Sequence, residues 1–320
     1  MSGGASTWHH EPVLVERVVE LMRLQPGMQV QEACSGLGGH TKRFLEKIGE
    51  RGHVWGFEVD PRVAEEARKR LGEYAGRFTI FEANFRDFDL YLKSMGVKQF
   101  DAFMADLGPG RYHYGEGYGQ ALKKELRIDF RLSPSLKIPT GAELIESASE
   151  AELRRLIQEA GERRFAGRVA KAIVNGRPVL TTGNLARIIE GAVPRKYHKP
   201  GVSPAQRIFA HIRAVVNDER GALAELMQKL TYWLRPGGRA VFLCYTSGEL
   251  SQVRKYLKGK GCTCPSEIPK CVCGKGYAYK VLADGERPTE EEISENPSAR
   301  SARLAAGELL YRPEEGTSEE

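Results

Sequence analysis

The chain has 320 residues, 41% of them hydrophobic and 28% charged, with a formal charge of +6. This is the balance of a globular protein with room for one large domain or two moderate ones. No apolar run is long enough to span a bilayer, and residues 1–10 lack a basic stretch followed by an apolar one, so a soluble, cytoplasmic protein without membrane partners is expected.

Helix-like and strand-like segments alternate through the first third. Val13 to Met22 has apolar residues at helical spacing and stops at Pro26-Gly27. Gln29 to Ala33 reads as a strand running into Cys34-Ser35-Gly36-Leu37-Gly38-Gly39, and Thr41 to Ile48 as a helix. His53 to Phe57 is a second strand closing on Glu58. Asp60 is placed to cap a helix over Pro61 to Leu71, with proline at the first helical position. Phe78 to Glu82 and Phe100 to Ala105 follow as strands, the latter ending in Asp106. Such alternation predicts an α/β fold with a mostly parallel sheet and helices on both faces.

The rhythm stops after Leu107. Gly108 to Gly119 has no apolar period, while Ala142 to Ile173 (broken at Gly161), Asn184 to Gly191 and Ala205 to Leu230 read as helices. Arg235-Pro236-Gly237-Gly238 is a predicted turn before the apolar run Ala240 to Tyr245. The expected organisation is a discontinuous nucleotide-fold domain, residues 1–111 and 205–312. A mostly helical domain, residues 112–204, is inserted into it, and the tail at 313–320 is disordered. Arginine and lysine crowd Arg155 to Lys199, a composition that suits a polyanion or a solvated helical face.

A glycine turn between strand and helix lets a ligand approach the backbone, and the helix N-terminus favours an anionic group. Gly36, Gly38 and Gly39 alone also fit plain tight packing. Glu58, about twenty residues on, stands where a carboxylate accepts from ribose hydroxyls, and Asp106 ends a later strand at the same edge. Phe85 follows the third strand, where an aromatic ring can flank adenine. Each has a structural alternative, Glu58 or Asp106 as helix caps and Phe85 as core. Together at successive strand ends they indicate an adenosine-type cofactor. A nicotinamide cofactor is disfavoured, because the turn is G-x-G-G rather than G-x-G-x-x-G and no second nucleotide-binding half follows.

The chain resembles the bacterial family that methylates N4 of a cytidine in the decoding region of small-subunit ribosomal RNA. The likeness runs from His10-Glu11-Pro12-Val13-Leu14 to about Leu304. It is carried by Gly38-Gly39-His40-Thr41, Glu58-Val59-Asp60-Pro61, Asp106-Leu107-Gly108, Gly161 to Ala166, Arg207-Ile208-Phe209 and Val216-Asn217-Asp218-Glu219. The resemblance implies a Rossmann-like methyltransferase fold and S-adenosylmethionine, bound through Gly38, Gly39, His40, Glu58, Phe85 and Asp106, with His113 at the position where the family has glutamine. It also implies that the helical insertion binds RNA, where Arg163, Arg164 and Arg168 suit phosphate contact. Alternatively, Arg163 or Arg164 pairs with Glu159 or Glu162 along a helix.

Several segments depart from the family. Its D-G-T-F-G stretch is Glu32-Ala33-Cys34-Ser35-Gly36 here, and G-P-L-D-M-R-M has become Glu125 to Leu132, keeping Asp129-x-Arg131. The F-H-S-L-E-D motif appears as Tyr245-Thr246-Ser247-Gly248-Glu249-Leu250. Asp106, and secondarily Asp129, are candidate acceptors for the protons of the target amine, and Tyr245 is a candidate to stack on the base. DNA is not an expected substrate, since Asp106-Leu107-Gly108-Pro109 lacks the Pro-Pro-aromatic run of DNA amino methyltransferases. A divergent paralogue acting on another RNA or a small amine, and a ribosome-assembly protein without turnover, are the alternatives. Cys262, Cys264, Cys271 and Cys273 could hold a structural zinc or remain reduced in a loop.

Overall fold

The computed structural model describes residues 11–110, 125–198, 203–259 and 278–311. Two compact units divide the chain. One holds Pro109–Gly221; the other holds His10–Gly108 and Ala222–Glu320.

The second unit is built on a sheet. In chain order it contains α1 (Val15–Met22), β1 (Gln29–Glu32), α2 (Gly39–Ile48), β2 (His53–Phe57), α3 (Pro61–Arg70), β3 (Phe78–Phe81), α4 (Phe88–Ser94) and β4 (Phe100–Asp106). Seven strands among the described residues pair in the order β3-β2-β1-β4-β5-β7-β6, the last three being β5 (Leu234–Cys244), β6 (Tyr279–Glu286) and β7 (Arg303–Leu309). Neighbours from β3 to β5 are parallel, and β7 runs antiparallel to both β5 and β6.

Burial on both faces explains why β2 and β4 read as nearly continuous apolar runs. Along β4 the side chains alternate: Ala102 and Met104 enter one cluster with Val30, Val54, Phe44 and Ile48, while Phe103 and Ala105 enter the other with Trp55, Phe57, Leu226 and Phe242. That period of two fixes the strand's register, since a one-residue slip would exchange its two faces. The strand order reverses between the parallel neighbours β1 and β4, where consecutive crossovers leave for opposite sides. Ligands of open α/β sheets bind outside the carboxyl ends of such strands.

The helical unit contains α5 (Gly141–Ser147), α6 (Glu150–Glu159), α7 (Ala166–Asn175), α8 (Thr182–Ala192) and α9 (Pro204–Val216). Its own core gathers Ile145, Leu153, Ile157, Val169, Ile173, Leu185 and Ile189. Ser, Thr and acidic or amide residues start these helices locally. Thr140 with Glu143, Ser149 with Glu152 and Ser203 with Gln206 each form a reciprocal capping box.

Two expectations change. The helical unit extends past Pro204 to Gly221, because Ile208, Phe209 and Ile212 of α9 bury into its core. The helix expected over Ala205 to Leu230 is two, α9 and α10 (Glu219–Trp233). The break is Asn217, whose buried amide donates to the carbonyls of Phe130 and Arg213 and accepts from the Leu132 N–H, followed by Asp218 at φ +46°. The Arg235-Pro236-Gly237-Gly238 turn bulges out of the β5 ladder, in which Leu234 pairs with Phe100 and Arg239 with Ala102. The tail at 313–320 lies outside the described residues.

Candidate active site

The chain leaves β1 through Cys34, Ser35 and a turn in which Gly36 and Gly38 hold φ of +51° and +80°, a backbone region L side chains seldom adopt. Gly38 caps α2, and a Cβ there would lie 2.9 Å from a Leu71 methyl. Gly39, the first residue of α2, sits against the ring of Pro12. The unsatisfied N–H groups at the start of α2 therefore face an open turn, an arrangement suited to an anionic group.

Glu58 follows β2, beside that turn. Its buried carboxylate accepts from the Asp60 N–H at 2.9 Å and from the Gly36 N–H, tying the second strand's end to the glycine turn. Burial pushes its pKa up to about 7, opposed by those backbone donors. Asp60 is a helix cap, accepting from the Arg62 N–H. Phe85 opens the turn after β3, where Asn84 accepts from the Arg86 N–H, and its half-buried ring packs on the sheet core.

At the end of β4, Asp106 meets His40 and Tyr245. Nε2 of the buried His40 lies 3.0 Å from the Val13 carbonyl, so Nε2 carries the proton there. Its Nδ1 is 3.9 Å from Asp106 Oδ2. Burial pulls the imidazole pKa down to about 4, so His40 is neutral and Nδ1 presents a lone pair toward the carboxylate. Two acceptors facing each other across that gap suit an N–H donor supplied by a ligand. The Tyr245 hydroxyl hydrogen-bonds Asp106, and its pKa is pushed up by burial and by the Asp106 charge. The Tyr245 ring lies over Gly108, where any Cβ would come within 2.6 Å of it.

The altered F-H-S-L-E-D segment has a local explanation. Thr246 caps α11 (Ser247–Leu257), and Glu249 accepts from the N–H groups of Tyr245 and Thr246 at 2.8 and 3.0 Å. Leu250 is buried in the sheet core, where an aspartate would be costly.

One residue escaped sequence reasoning. Glu32, at the end of β1, is completely buried; burial pushes its pKa up to about 8, offset in part by the Thr41 hydroxyl, which donates to Oε2 at 2.5 Å. The Ser35 hydroxyl acts on the carboxylate in the same direction. The available signal is an acid at the end of β1, four residues before Gly36.

The other candidates lie in the helical unit or outside the description. Both oxygens of Asp129 accept from its neighbour Arg131, at 2.7 and 2.9 Å, and Arg131 also donates to the Leu136 carbonyl, so the pair shapes its own loop. Arg163, Arg164 and Arg168 are exposed at the start of α7. The alternative pairing with Glu159 or Glu162 does not occur: Glu162 pairs with Arg207, and Glu159 with His211. His113 and the four cysteines Cys262, Cys264, Cys271 and Cys273 lie outside the described residues. Among the described residues no cluster of His, Cys, Asp or Glu could hold a metal ion, and no helix is long and apolar enough to cross a membrane.

A sheet with an antiparallel strand wedged beside its last parallel one, a glycine turn after the first strand and acids closing the second and fourth define an S-adenosylmethionine-dependent methyltransferase. Residues 7–309 match the MraW methylase family, and the chain belongs to it. It is 36% identical over 313 residues to ribosomal RNA small subunit methyltransferase H of Geobacter sulfurreducens, covering 95% of this chain and 100% of that one. The proteins of the same name from Desulfosudis oleivorans (34%, covering 95% and 100%) and Symbiobacterium thermophilum (34%, covering 96% and 99%) are similar to it at comparable length.

Proposed function

We propose that this chain transfers a methyl group from S-adenosylmethionine to N4 of a cytidine in small-subunit ribosomal RNA, in the cytoplasm and on the small subunit or its RNA. The observation that carries the reading is the gathering of the glycine turn, Glu58, His40, Asp106 and Tyr245 at the carboxyl edge of one sheet, in a chain whose relatives are named for that substrate.

The residues fit the cofactor chemically. Gly36 and Gly38 hold the positive-φ turn, and the α2 N-terminus offers N–H groups to a carboxylate. Glu58 would accept from the ribose hydroxyls, and Phe85 would flank the adenine. When bound, S-adenosylmethionine supplies an electrophilic methyl group on a positively charged sulfur.

The remaining task falls to the protein. Cytosine N4 is a weak nucleophile because its lone pair is delocalised into the ring, so transfer depends on in-line placement of the nitrogen. Asp106 would accept a hydrogen bond from the amine and hold the proton released as the N–C bond forms. Tyr245 would orient Asp106 through its hydroxyl while its ring bounds the base. The base must be unpaired to reach the site, and Arg163, Arg164 and Arg168 of the helical unit would bind RNA phosphates. Incubation with methyl-labelled cofactor and small-subunit RNA, followed by nucleoside analysis, tests this: label in N4-methylcytidine supports it, and label in another nucleoside overturns it.

A further inference from the structure

The helical unit carries a basic face whose charges are uncompensated. Four arginines elsewhere in the unit are paired: Arg131 with Asp129, Arg187 with Glu125, Arg207 with Glu162 and Arg213 with Glu219. By contrast Arg155, Arg163, Arg164, Arg168, Arg195 and Lys196 are exposed and form no ion pair with any described acid. Among the acids of the unit, Glu159 is held by His211 and Glu162 by Arg207, while Glu152 closes its capping box and feels the charge of Arg155. An excess of like charge on one face costs stability, which an anionic partner would offset.

Aromatic rings lie in the middle of these charges. The short turns Arg163–Phe165 and Arg195–Tyr197 meet through their last residues, with ring centroids 5.1 Å apart at 49°. The Arg164 guanidinium carbon lies 4.2 Å from the Tyr197 ring centroid and 5.6 Å from that of Phe165, and the Lys196 ammonium is 5.3 Å from the Tyr197 ring. Both rings are partly exposed while they pack against the unit's apolar core. The neighbouring His198 is fixed by a 2.9 Å hydrogen bond to the Val193 carbonyl, which holds the turn in place. A cleft of about 370 Å³ lined by Arg155, Gln158, Glu159 and Arg163 adjoins the same turn.

A double helix needs only cations, since its bases are already stacked on each other. Aromatic rings and a stacked guanidinium within the cationic face match an unpaired strand, whose bases seek a π-face while its phosphates seek charge. We propose that Tyr197, Phe165 and Arg164 form a stacking platform for an unpaired base of single-stranded RNA, with the surrounding cations holding the flanking phosphates. The inference rests on the RNA reading above and adds which form of RNA the helical unit grips and by what contact.

The test uses the full-length protein and fluorescence anisotropy with two probes, a short RNA strand without self-complementarity and the same strand annealed to its complement. Wild type is expected to prefer the single strand. Tyr197→Ala should weaken the single strand about tenfold and leave the duplex nearly unchanged, while Tyr197→Phe keeps the ring and the affinity. Arg168→Ala should weaken both probes alike and lower the single-strand salt slope by about 0.7. Cofactor binding by Tyr197→Ala reports that the variant is folded, and the exposed Arg164→Ala serves as the second variant if it is not. Equal loss on strand and duplex in Tyr197→Ala, or full single-strand affinity without the ring, would overturn the platform. Displacement of the strand by polyglutamate as readily as by unlabelled RNA would point to an acidic protein instead and also overturn it. Methyl transfer by wild type is measured alongside: an active enzyme with unchanged Tyr197→Ala binding refutes the platform alone, whereas an inactive wild type refutes the function on which it rests.

Discussion

Replacing Glu58 by glutamine separates binding from stability. The folded protein moves this carboxylate's pKa from 4.5 up to about 7, burial being the main cause. Below pH 4.5 both folded and unfolded chains hold the proton and nothing is lost. As pH rises through 7, the unfolded chain has already released the proton, and the folded one must release it into a buried site, so stability falls. At about 1.4 kcal/mol per pH decade, the loss reaches roughly 3 kcal/mol in alkali. Glu58→Gln removes the ionisation while keeping the shape and an acceptor for the Asp60 and Gly36 N–H groups. Its stability should equal wild type near pH 4.5 and exceed it by up to roughly 3 kcal/mol at pH 9, measured by urea unfolding. Cofactor binding should move the other way, because hydrogen bonds from ribose hydroxyls to a charged acceptor are worth about 1.5–3 kcal/mol each. Titration calorimetry at pH 8 should show affinity falling roughly ten- to hundredfold. A variant that binds S-adenosylmethionine as tightly as wild type would refute the assignment of Glu58 to the ribose. Parallel stability curves for the two proteins would refute the electrostatic origin of the effect.

Other expectations follow from the same geometry. Asp106→Asn should lower the turnover of methyl transfer by about 10²–10⁴ while cofactor affinity changes little, read by steady-state kinetics and calorimetry. Gly108→Ala would drive a Cβ within 2.6 Å of the Tyr245 ring, costing about 1–3 kcal/mol in thermal unfolding and reducing turnover as the ring leaves Asp106. His40, with its pKa held down to about 4, binds its proton more weakly folded than unfolded, so its contribution is present above pH 6.5 and lost as pH falls through 4. His40→Gln should therefore lose less stability than wild type between pH 6.5 and 4, measured as the difference between their unfolding curves.

The sheet was legible wherever burial wrote a simple pattern. β2 and β4 are apolar runs closed by an acid, and Asp60-Pro61 marks the start of α3 to the residue. β6 and β7 were missed: β6 carries Lys280, Asp284 and Glu286, and β7 is rich in alanine, a weak strand former, and is set by pairing with β5 and β6 rather than by its own composition. The α9–α10 break was invisible because it depends on a buried Asn217 reaching Phe130 and Leu132, far away in sequence. In the candidate site, the glycines, Glu58 and Asp106 were readable from spacing. The neutral state of His40, the burial of Glu32 and the Tyr245–Asp106 bond were not, since each arises from groups brought together only by folding. The F-H-S-L-E-D motif of the family lacks its histidine in this sequence. In the fold, Thr246 at that place is a helix cap, and the aromatic beside it is the residue that contacts Asp106.

The most direct measurement is nucleoside mass spectrometry of small-subunit RNA and assembled subunits after incubation with S-adenosylmethionine and either wild type or Asp106→Asn. N4-methylcytidine formed by wild type and absent with the variant, while both bind the cofactor, is the predicted result. Cofactor binding by wild type without any methylated nucleoside, or methylation that survives Asp106→Asn undiminished, would contradict it.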